Sequence, residues 1–436
     1  MQFFKKIIVW KLTILSRLIL RKYKPFIVAV TGSVGKTSTK DAIYDVLKDE
    51  SGYVRKSEKS LNSEIGLPLT IIGVPNAWHD LFGWSKNIIA GMRLVLTRQE
   101  YPDCLVLEIG ADHPGDIRRV TRWLKPDITV ITKISQTPVH VEFFKSPEQV
   151  FEEKAALAEA VKEGGVLITY ADDDKTALLG ERVKSRNVRV LTYGVNNPAT
   201  ARGTDYAVVY EEGAPAGMSF KLDLVGETSQ IALKRAIGDT YIYPLIAAAA
   251  VGKAKDMPLT KIVKALNSYE APKGRMNLIP GLSGSTIIDD TYNSSPDAAL
   301  SALGSLKGIV CSGRKIVAFG DMMELGKFSA EEHRRIGKEM SSVIGATGFL
   351  VTVGPRAKMT AEEALKSGLA DRSVRAFDSA DEAAAYLASI MGQGDVILVK
   401  GSQSVRMEKV SKALLCEPER AGELLVRQEA EWLAKK

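Results

Sequence analysis

The chain has 436 residues, more than one hydrophobic core usually organises, and its 45% hydrophobic and 25% charged composition excludes a disordered or collagen-like protein. Its net charge of +7 resides in residues 1–24, which hold Lys5, Lys6, Lys11, Arg17, Arg21, Lys22 and Lys24 and no acid. The remainder is neutral on balance, so nucleic-acid binding by the body of the protein is not expected. Three widely spaced cysteines, Cys104, Cys311 and Cys416, argue for a reducing compartment and against disulfide, zinc or Cys-based chemistry.

Between the cations of residues 1–24 stand Phe3, Phe4, Ile7, Ile8, Val9 and Trp10, then a run from Leu12 to Leu20. Lys11 and Arg17 interrupt it, so it makes a poor spanning helix, and no small-residue cleavage site follows. Two readings stand: a basic helix lying on a membrane surface, or a helix packed on the protein itself or a partner. The charges do not gather on one clean face of a helical wheel.

The next element is an apolar strand, Phe26 to Val30, running into Thr31-Gly32-Ser33-Val34-Gly35-Lys36-Thr37 and then a helix through Ser38, Lys40, Ile43 and Val46. A strand feeding a Gly-rich turn and a helix N-terminus is a phosphate cradle. Backbone N–H groups and the positive helix end face the anion, Lys36 adds a charge, and the Thr37 hydroxyl suits Mg²⁺. Val30 stands where the longer P-loop pattern has its first glycine, which leaves the short Gly-x-x-Gly-Lys-Thr form. ATP or GTP binding is expected.

Apolar runs and helical segments then alternate, which predicts an α/β fold with a mainly parallel sheet. Cys104 to Ile109 and Ile128 to Thr132 read as buried strands, with Cys104 a core thiol. Ser146-Pro147-Glu148 reads as a helix cap with proline in the first turn, opening a helix through Lys154 and Leu157. Gly165 to Thr169 is another strand, residues 201–235 an antiparallel hairpin patch, and Tyr241 to Ala254 an Ala-rich helix. Near Pro272-Lys273-Gly274-Arg275 a second α/β series starts, with strands at Thr286–Asp289, Lys315–Gly320, Gly348–Val353 and Asp395–Gly401. The expected organisation is 1–24 as the basic helix, 25–273 as a P-loop central domain, and 274–436 as a C-terminal Rossmann-like α/β domain.

Glu108, at a strand tip in a nucleotide-binding sheet, suits Mg²⁺ or water orientation, or is a solvated strand-end carboxylate. His140 and Glu142 follow a second strand, and His140 alone reads as structural because Mg²⁺ prefers oxygen. His113, His140 and His333 fall in polar segments, which favours a functional role. Asp289-Asp290-Thr291-Tyr292-Asn293-Ser294-Ser295-Pro296 is a capped loop or a site. With Gly320 to Gly326 and Lys400-Gly401-Ser402, it lies at strand C-termini, where open α/β sheets bind ligands.

These segments, together with Leu61 to Pro68, Glu108 to Gly115, His140-Val141-Glu142-Phe143-Phe144 and Gly274-Arg275-Met276, resemble the Mur ligase family. The resemblance runs from about Phe26 to the C-terminus and points to the branch that adds D-alanyl-D-alanine during peptidoglycan synthesis. It implies an ATP- and Mg²⁺-dependent, ADP-forming amide ligase, acting on a small peptidoglycan precursor and a dipeptide as a cytoplasmic monomer. Peripheral contact at the inner face of the cytoplasmic membrane would come through residues 1–24. By the same resemblance, Gly32, Ser33, Val34, Gly35, Lys36, Thr37 and Ser38 hold the phosphates, and Lys36 serves catalysis. Thr37 and Glu108 hold one Mg²⁺, and His140 helps hold a second. Lys154 matches a helix lysine that several members carbamylate, Arg275 reaches the ATP phosphates, and Asp290 and Asn293 lie near the ribose and nucleotide.

The chain also departs from the family pattern. Only residues 1–24 stand where the family has its uridine-diphosphate-gripping N-terminal domain. Gly238-Asp239-Thr240-Tyr241 replaces Gly-x-His-Asn, and Thr132-Lys133 and Tyr170-Ala171-Asp172-Asp173 each lack a usual Asn. Two alternatives follow: a ligase for another amine or a non-uridylylated acceptor, or a membrane-associated nucleotide-binding regulator without ligation. Retained Lys36, Glu108, His140 and Lys154 count against the regulator.

Overall fold

The computed structural model describes residues 2–58, 61, 64–78, 80–111, 113–134, 144 and 146–434, with side chains of the first helix from Ile7 onward. The chain packs as two units. The first comprises Met1–Thr204, Leu222–Ser229 and Tyr243–Tyr269, and the second Asp205–Lys221, Gln230–Ile242 and Glu270–Lys436.

The first part of the chain runs α1 (Gln2–Tyr23), β1 (Phe26–Thr31), α2 (Lys36–Leu47), β2 (Val54–Lys56), α3 (Gly66–Ile72), α4 (Leu81–Leu96), β3 (Cys104–Glu108), α5 (Asp116–Thr121) and β4 (Ile128–Ile131). It continues with α6 (Pro147–Ala158), β5 (Val166–Tyr170), α7 (Asp174–Val183), β6 (Arg189–Gly194), β7 (Ala201–Glu211), β8 (Ala214–Leu224), β9 (Glu227–Lys234), α8 (Ile242–Ala254) and α9 (Leu259–Asn267). The sheet order is β2-β3-β1-β4-β5-β6-β7-β8-β9, and every pairing from β2 through to β7 is parallel. Strands β1, β3, β4 and β5 are continuous apolar runs because a parallel sheet with helices on both faces buries both sides of each strand. The β7–β8 and β8–β9 turns are two residues long, Glu212-Gly213 and Val225-Gly226, all four at positive φ. That left-handed pair matches the twist of antiparallel strands, which gives the expected hairpin patch.

Helix α1 packs on the first unit itself. Ile8, Leu12, Leu15 and Ile19 are buried in one cluster with residues of α3, α4, β1 and β3, whereas Trp10, Lys11, Arg17, Leu18 and Arg21 are exposed. The cations thus share the outward side with Trp10 and Leu18, which is why a wheel drawn on charge alone shows no clean face.

The second part runs β10 (Asn277–Pro280), β11 (Thr286–Asp290), α10 (Pro296–Gly308), β12 (Lys315–Gly320), α11 (Ser329–Ile344), β13 (Phe349–Val353), α12 (Lys358–Lys366), β14 (Val374–Phe377), α13 (Ala380–Ile390), β15 (Val396–Lys400) and α14 (Glu408–Ala413). Its sheet order is β10-β11-β15-β12-β13-β14; only β10 is antiparallel to its neighbour. The register sets Asp290 beside Lys400 and Lys400 beside Phe319, so three strand ends meet at one edge.

Candidate functional site

In the first unit, β1 ends at Thr31 and α2 begins at Lys36, with Gly35 as a left-handed N-cap at φ +83° that offers no side-chain cap. A helix N-terminus leaves its first-turn N–H groups without carbonyls one turn back, so the start of α2 has the general form of an anion site. The N–H groups of Ser33 and Val34 instead donate to the Lys133 carbonyl, at 2.8 and 3.3 Å. The Lys133 carbonyl thus fixes the Ser33–Val34 part of the loop between β1 and α2. Lys36 Nζ donates to the carbonyls of Gly32 and Ser33, at 3.0 and 3.3 Å. The buried hydroxyls of Thr31, Ser33 and Thr132 find no hydrogen-bond partner among the described residues. Buried polar atoms are normally satisfied, so these three fit a loop built to receive a polar ligand.

Glu108 ends β3 opposite Val30 and is nearly buried. Its N–H donates to Ser57 Oγ at 3.1 Å, and the Ser57 carbonyl accepts from the buried Lys40 Nζ at 2.8 Å. A lysine on α2 and a serine after β2 thereby fix the backbone of the strand-end carboxylate. Neither residue was singled out from the sequence, because their role arises from contacts far apart in the chain.

Helix α6 starts as its sequence predicts, with the Ser146 side chain accepting from Gln149 N–H and Pro147 in the first turn. It brings Lys154 to the P-loop, where Lys154 Nζ donates to the Gly32 carbonyl at 2.9 Å from a buried position. Its neighbour Glu153, also buried, accepts from the N–H groups of Gly115, Ile117 and Arg118, at 2.8, 2.6 and 3.2 Å. A carboxylate at the start of α5 is stabilised by the helix dipole and locks the segment after Glu108 onto α6. His140 and Glu142 lie outside the described residues. Glu108, Thr37, Lys36 and Lys154 all belong to the first unit.

The Tyr170-Ala171-Asp172 turn is also built in this unit. Asp172 accepts from the N–H groups of Val195, Asn196 and Asn197 and from Tyr243 Oη at 3.1 Å, and the Tyr170 ring meets Tyr193 edge-on and Tyr243 at a tilt. Burial raises the Tyr243 phenol, so it stays protonated and donates. Cys104 is a core thiol as expected, its pKa pushed up to about 12 by burial.

In the second unit, Lys400 Nζ contacts Asp290 Oδ2 at 2.5 Å and the Asn293 carbonyl at 3.0 Å. Asp321 Oδ1 accepts from Arg356 and Ala357 N–H, and Ser402 Oγ accepts from Met323 N–H. The Asp289–Ser294, Gly320–Met323 and Lys400–Ser402 segments therefore do converge. Arg275 lies over the Tyr292 ring, 4.3 Å from its centroid, and Tyr241 Oη donates to the Arg275 carbonyl. His333 differs from its expected polar setting: it is fully buried, and Nε2 accepts from Met322 N–H at 3.0 Å. Burial lowers its pKa, so the ring is neutral, with its proton on Nδ1 beside the Ser329 carbonyl at 2.7 Å. It is a structural residue of the Gly320 loop; one polar face of α11 in the sequence hides that.

The chain matches the Mur ligase middle domain over residues 30–82 and 86–252, and the Mur ligase glutamate ligase domain over residues 274–403. It is 28% identical over 404 residues to a UDP-N-acetylmuramoyl-tripeptide–D-alanyl-D-alanine ligase of Bacillus subtilis, spanning 93% of this chain and 79% of that protein. A protein of the same name from Mycobacterium tuberculosis is 29% identical over 409 residues, spanning 90% and 73%. MurF of Thermotoga maritima, solved in complex with ADP, superposes with a TM-score of 0.75 at 26% identity, covering 95% of this chain and 84% of that one. MurF of Acinetobacter baumannii shares the fold, with a TM-score of 0.73 at 24% identity over 91% and 79%. With the middle-domain match alone spanning more than half of its length, the chain belongs to the Mur ligase family.

Proposed function

We propose that this chain is an ATP-dependent, ADP-forming amide ligase that joins D-alanyl-D-alanine to the peptide carboxylate of a peptidoglycan precursor. The observation that carries the reading is one loop braced by two lysines beside a strand-end carboxylate: Lys36 and Lys154 both donate to the Gly32 carbonyl, and Glu108 ends the strand next to β1. The resemblance to named D-alanyl-D-alanine ligases over nine-tenths of the chain supplies the substrate class.

In this reading Lys36 and the first-turn amides of α2 hold the β- and γ-phosphates and stabilise charge that builds as the phosphoryl group moves. A carboxylate oxygen of the acceptor attacks the γ-phosphorus and ADP leaves. The dipeptide amine then attacks the acyl carbon, phosphate departs, and the amine gives up its proton. Thr37 and Glu108 offer hard oxygen donors beside orphaned buried hydroxyls, a set that fits Mg²⁺, which when bound supplies charge compensation during transfer. We assign His140 to a second Mg²⁺, and Arg275, Asp290 and Asn293 to the nucleotide. Lys154, carbamylated, would become an acidic group at Gly32. The enzyme is proposed to act as a monomer in the cytoplasm, with residues 1–24 touching the inner face of the membrane.

The test is phosphate release from ATP and Mg²⁺ by the full chain, with D-alanyl-D-alanine and UDP-muramoyl tripeptide each omitted in turn. Release that needs both and yields the pentapeptide product is the expected result. ATP binding without such turnover would move the reading to another amine or acceptor, or to a nucleotide-binding regulator. Lys36→Ala should abolish turnover; unchanged turnover removes the P-loop from the mechanism.

A further inference from the structure

The geometry points to α1 and α4 together as a docking surface for an anionic lipid bilayer. This deepens the peripheral contact proposed for residues 1–24, moving its centre to a two-helix surface whose α4 half the sequence did not reveal.

The two helices are tied to each other within the first unit. At Gly91 an added Cβ would sit 2.9 Å from Leu15 Cδ1, so α4 approaches α1 as closely as a glycine allows. Lys22 Nζ donates to the carbonyls of Leu94, Val95 and Thr97 at 2.8, 2.9 and 2.6 Å, and Tyr23 Oη to Leu94 at 3.0 Å. A cation from the end of α1 thus caps the negative end of α4.

What this pair leaves outward is unusual for a protein surface. On α4, Phe82, Ile89 and Leu96 are 69%, 58% and 80% exposed, with Leu81 and Met92 beside them. Trp78, just before α4, and Trp10 of α1 are also exposed. Interleaved are exposed Lys86 and Arg93 on α4 and Lys11, Arg17 and Arg21 on α1. Neither helix, of 22 and 16 residues, contains an acid. Among the flanking carboxylates, Asp80 is committed to capping Phe82 N–H.

The solvent-facing sides of these two packed helices carry large apolar side chains, tryptophans and cations, the chemistry of a bilayer's interfacial zone and its negative headgroups. A second copy of this chain is a poor occupant, since an isologous contact would set cations against cations. No described helix is long and apolar enough to cross a membrane, so the surface lies on the bilayer rather than in it.

The experiment is co-sedimentation of the full chain with vesicles of phosphatidylcholine alone or mixed with phosphatidylglycerol. Three proteins are compared: wild type, an α4 variant (Phe82→Ser, Lys86→Glu, Ile89→Ser) and an α1 variant (Trp10→Ser, Arg17→Glu). Binding should require phosphatidylglycerol, weaken with salt, and fall about tenfold or more in each variant. ATP-dependent phosphate release without vesicles should be unchanged, which also shows that the variants fold. Loss in the α1 variant alone returns the contact to residues 1–24 and overturns the two-helix surface. Equal binding to both vesicle types, or none, overturns it and the peripheral contact together while leaving the ligase reading untouched. A wild-type dimer that both variants abolish would give the surface to a second copy.

Discussion

At Gly32 the backbone has φ +151° and an added Cβ would lie 1.9 Å from Thr132 Oγ1. The Cβ would also lie 2.9 Å from the Thr132 carbonyl, so relieving the clash shifts the segment just after β4, whose Lys133 carbonyl holds the loop. Gly32→Ala should therefore weaken ADP binding, measured by titration calorimetry, by about tenfold or more; unchanged affinity would mean that the loop tolerates another path. A second residue-scale prediction concerns Asp289, fully buried with only one oxygen satisfied, by Ser411 and Thr291, and with Asp290 and Glu408 adding like charge. Burial raises its pKa from 3.8 to about 6. Between those values the folded chain keeps a proton that the unfolded chain has released, so stability falls as pH rises across that window. A shift of this size corresponds to about 3 kcal/mol lost above it. Asp289→Asn keeps an accepting oxygen and no charge. It should raise the urea midpoint near neutral pH and flatten its acid dependence; identical pH profiles for both proteins would contradict this. Lys36 and Glu108 stood out as candidates because a strand, a turn and a helix start, or a strand tip, announce them, whereas Lys154 stood out only through the family resemblance. Ser57, Lys40 and Glu153 were not, since each acts on backbone groups 17 to 51 residues away.

At the scale of elements, the apolar runs at β1, β3, β4, β5, β12 and β15 identify themselves because strands buried on both faces need no alternation. The hairpin strands were equally readable, for the opposite reason, through their alternation. Strands β2 and β14 were missed: each is three or four residues long and broken by basic residues, and pairing with β3 or β13 supplies what their own pattern lacks. Helix α4 escaped because its outward face is apolar, so periodicity is blurred. For α1 the sequence left two readings, and the fold shows packing on the protein through one stripe while the other faces solvent. Leu12 is fully buried in that stripe, so Leu12→Ala should cost the first unit about 2–5 kcal/mol in denaturant unfolding. Trp10→Ala, at an exposed position, should change stability by less than about 0.5 kcal/mol. Equal, small effects from both would mean that α1 contributes nothing to the core.

For the whole molecule, the division into two units makes a ligand's effect on stability divisible as well. The P-loop, Glu108 and Lys154 belong to the first unit, and Arg275, Asp290 and Asn293 to the second. A ligand that binds only folded protein adds about 2.7 kcal/mol at a concentration one hundred times its dissociation constant, and adds it to whatever it contacts. Amide hydrogen exchange reads that addition segment by segment. With Mg²⁺ and ADP, the start of α2 should exchange markedly more slowly, together with the Lys133 segment and the Ser57–Glu108 junction that brace it. If Arg275, Asp290 and Asn293 hold the nucleotide as proposed, the Gly274–Met276 and Asp290–Ser294 segments should slow too, although nothing in the first unit's own packing requires it. In Lys36→Ala both responses should vanish, because the phosphates anchor the ligand. Protection of the P-loop with no change around Arg275 would confine nucleotide recognition to the first unit. It would also withdraw the second unit's assigned nucleotide contacts, leaving its converged Asp290–Lys400 and Asp321–Ser402 groups for the amine substrate.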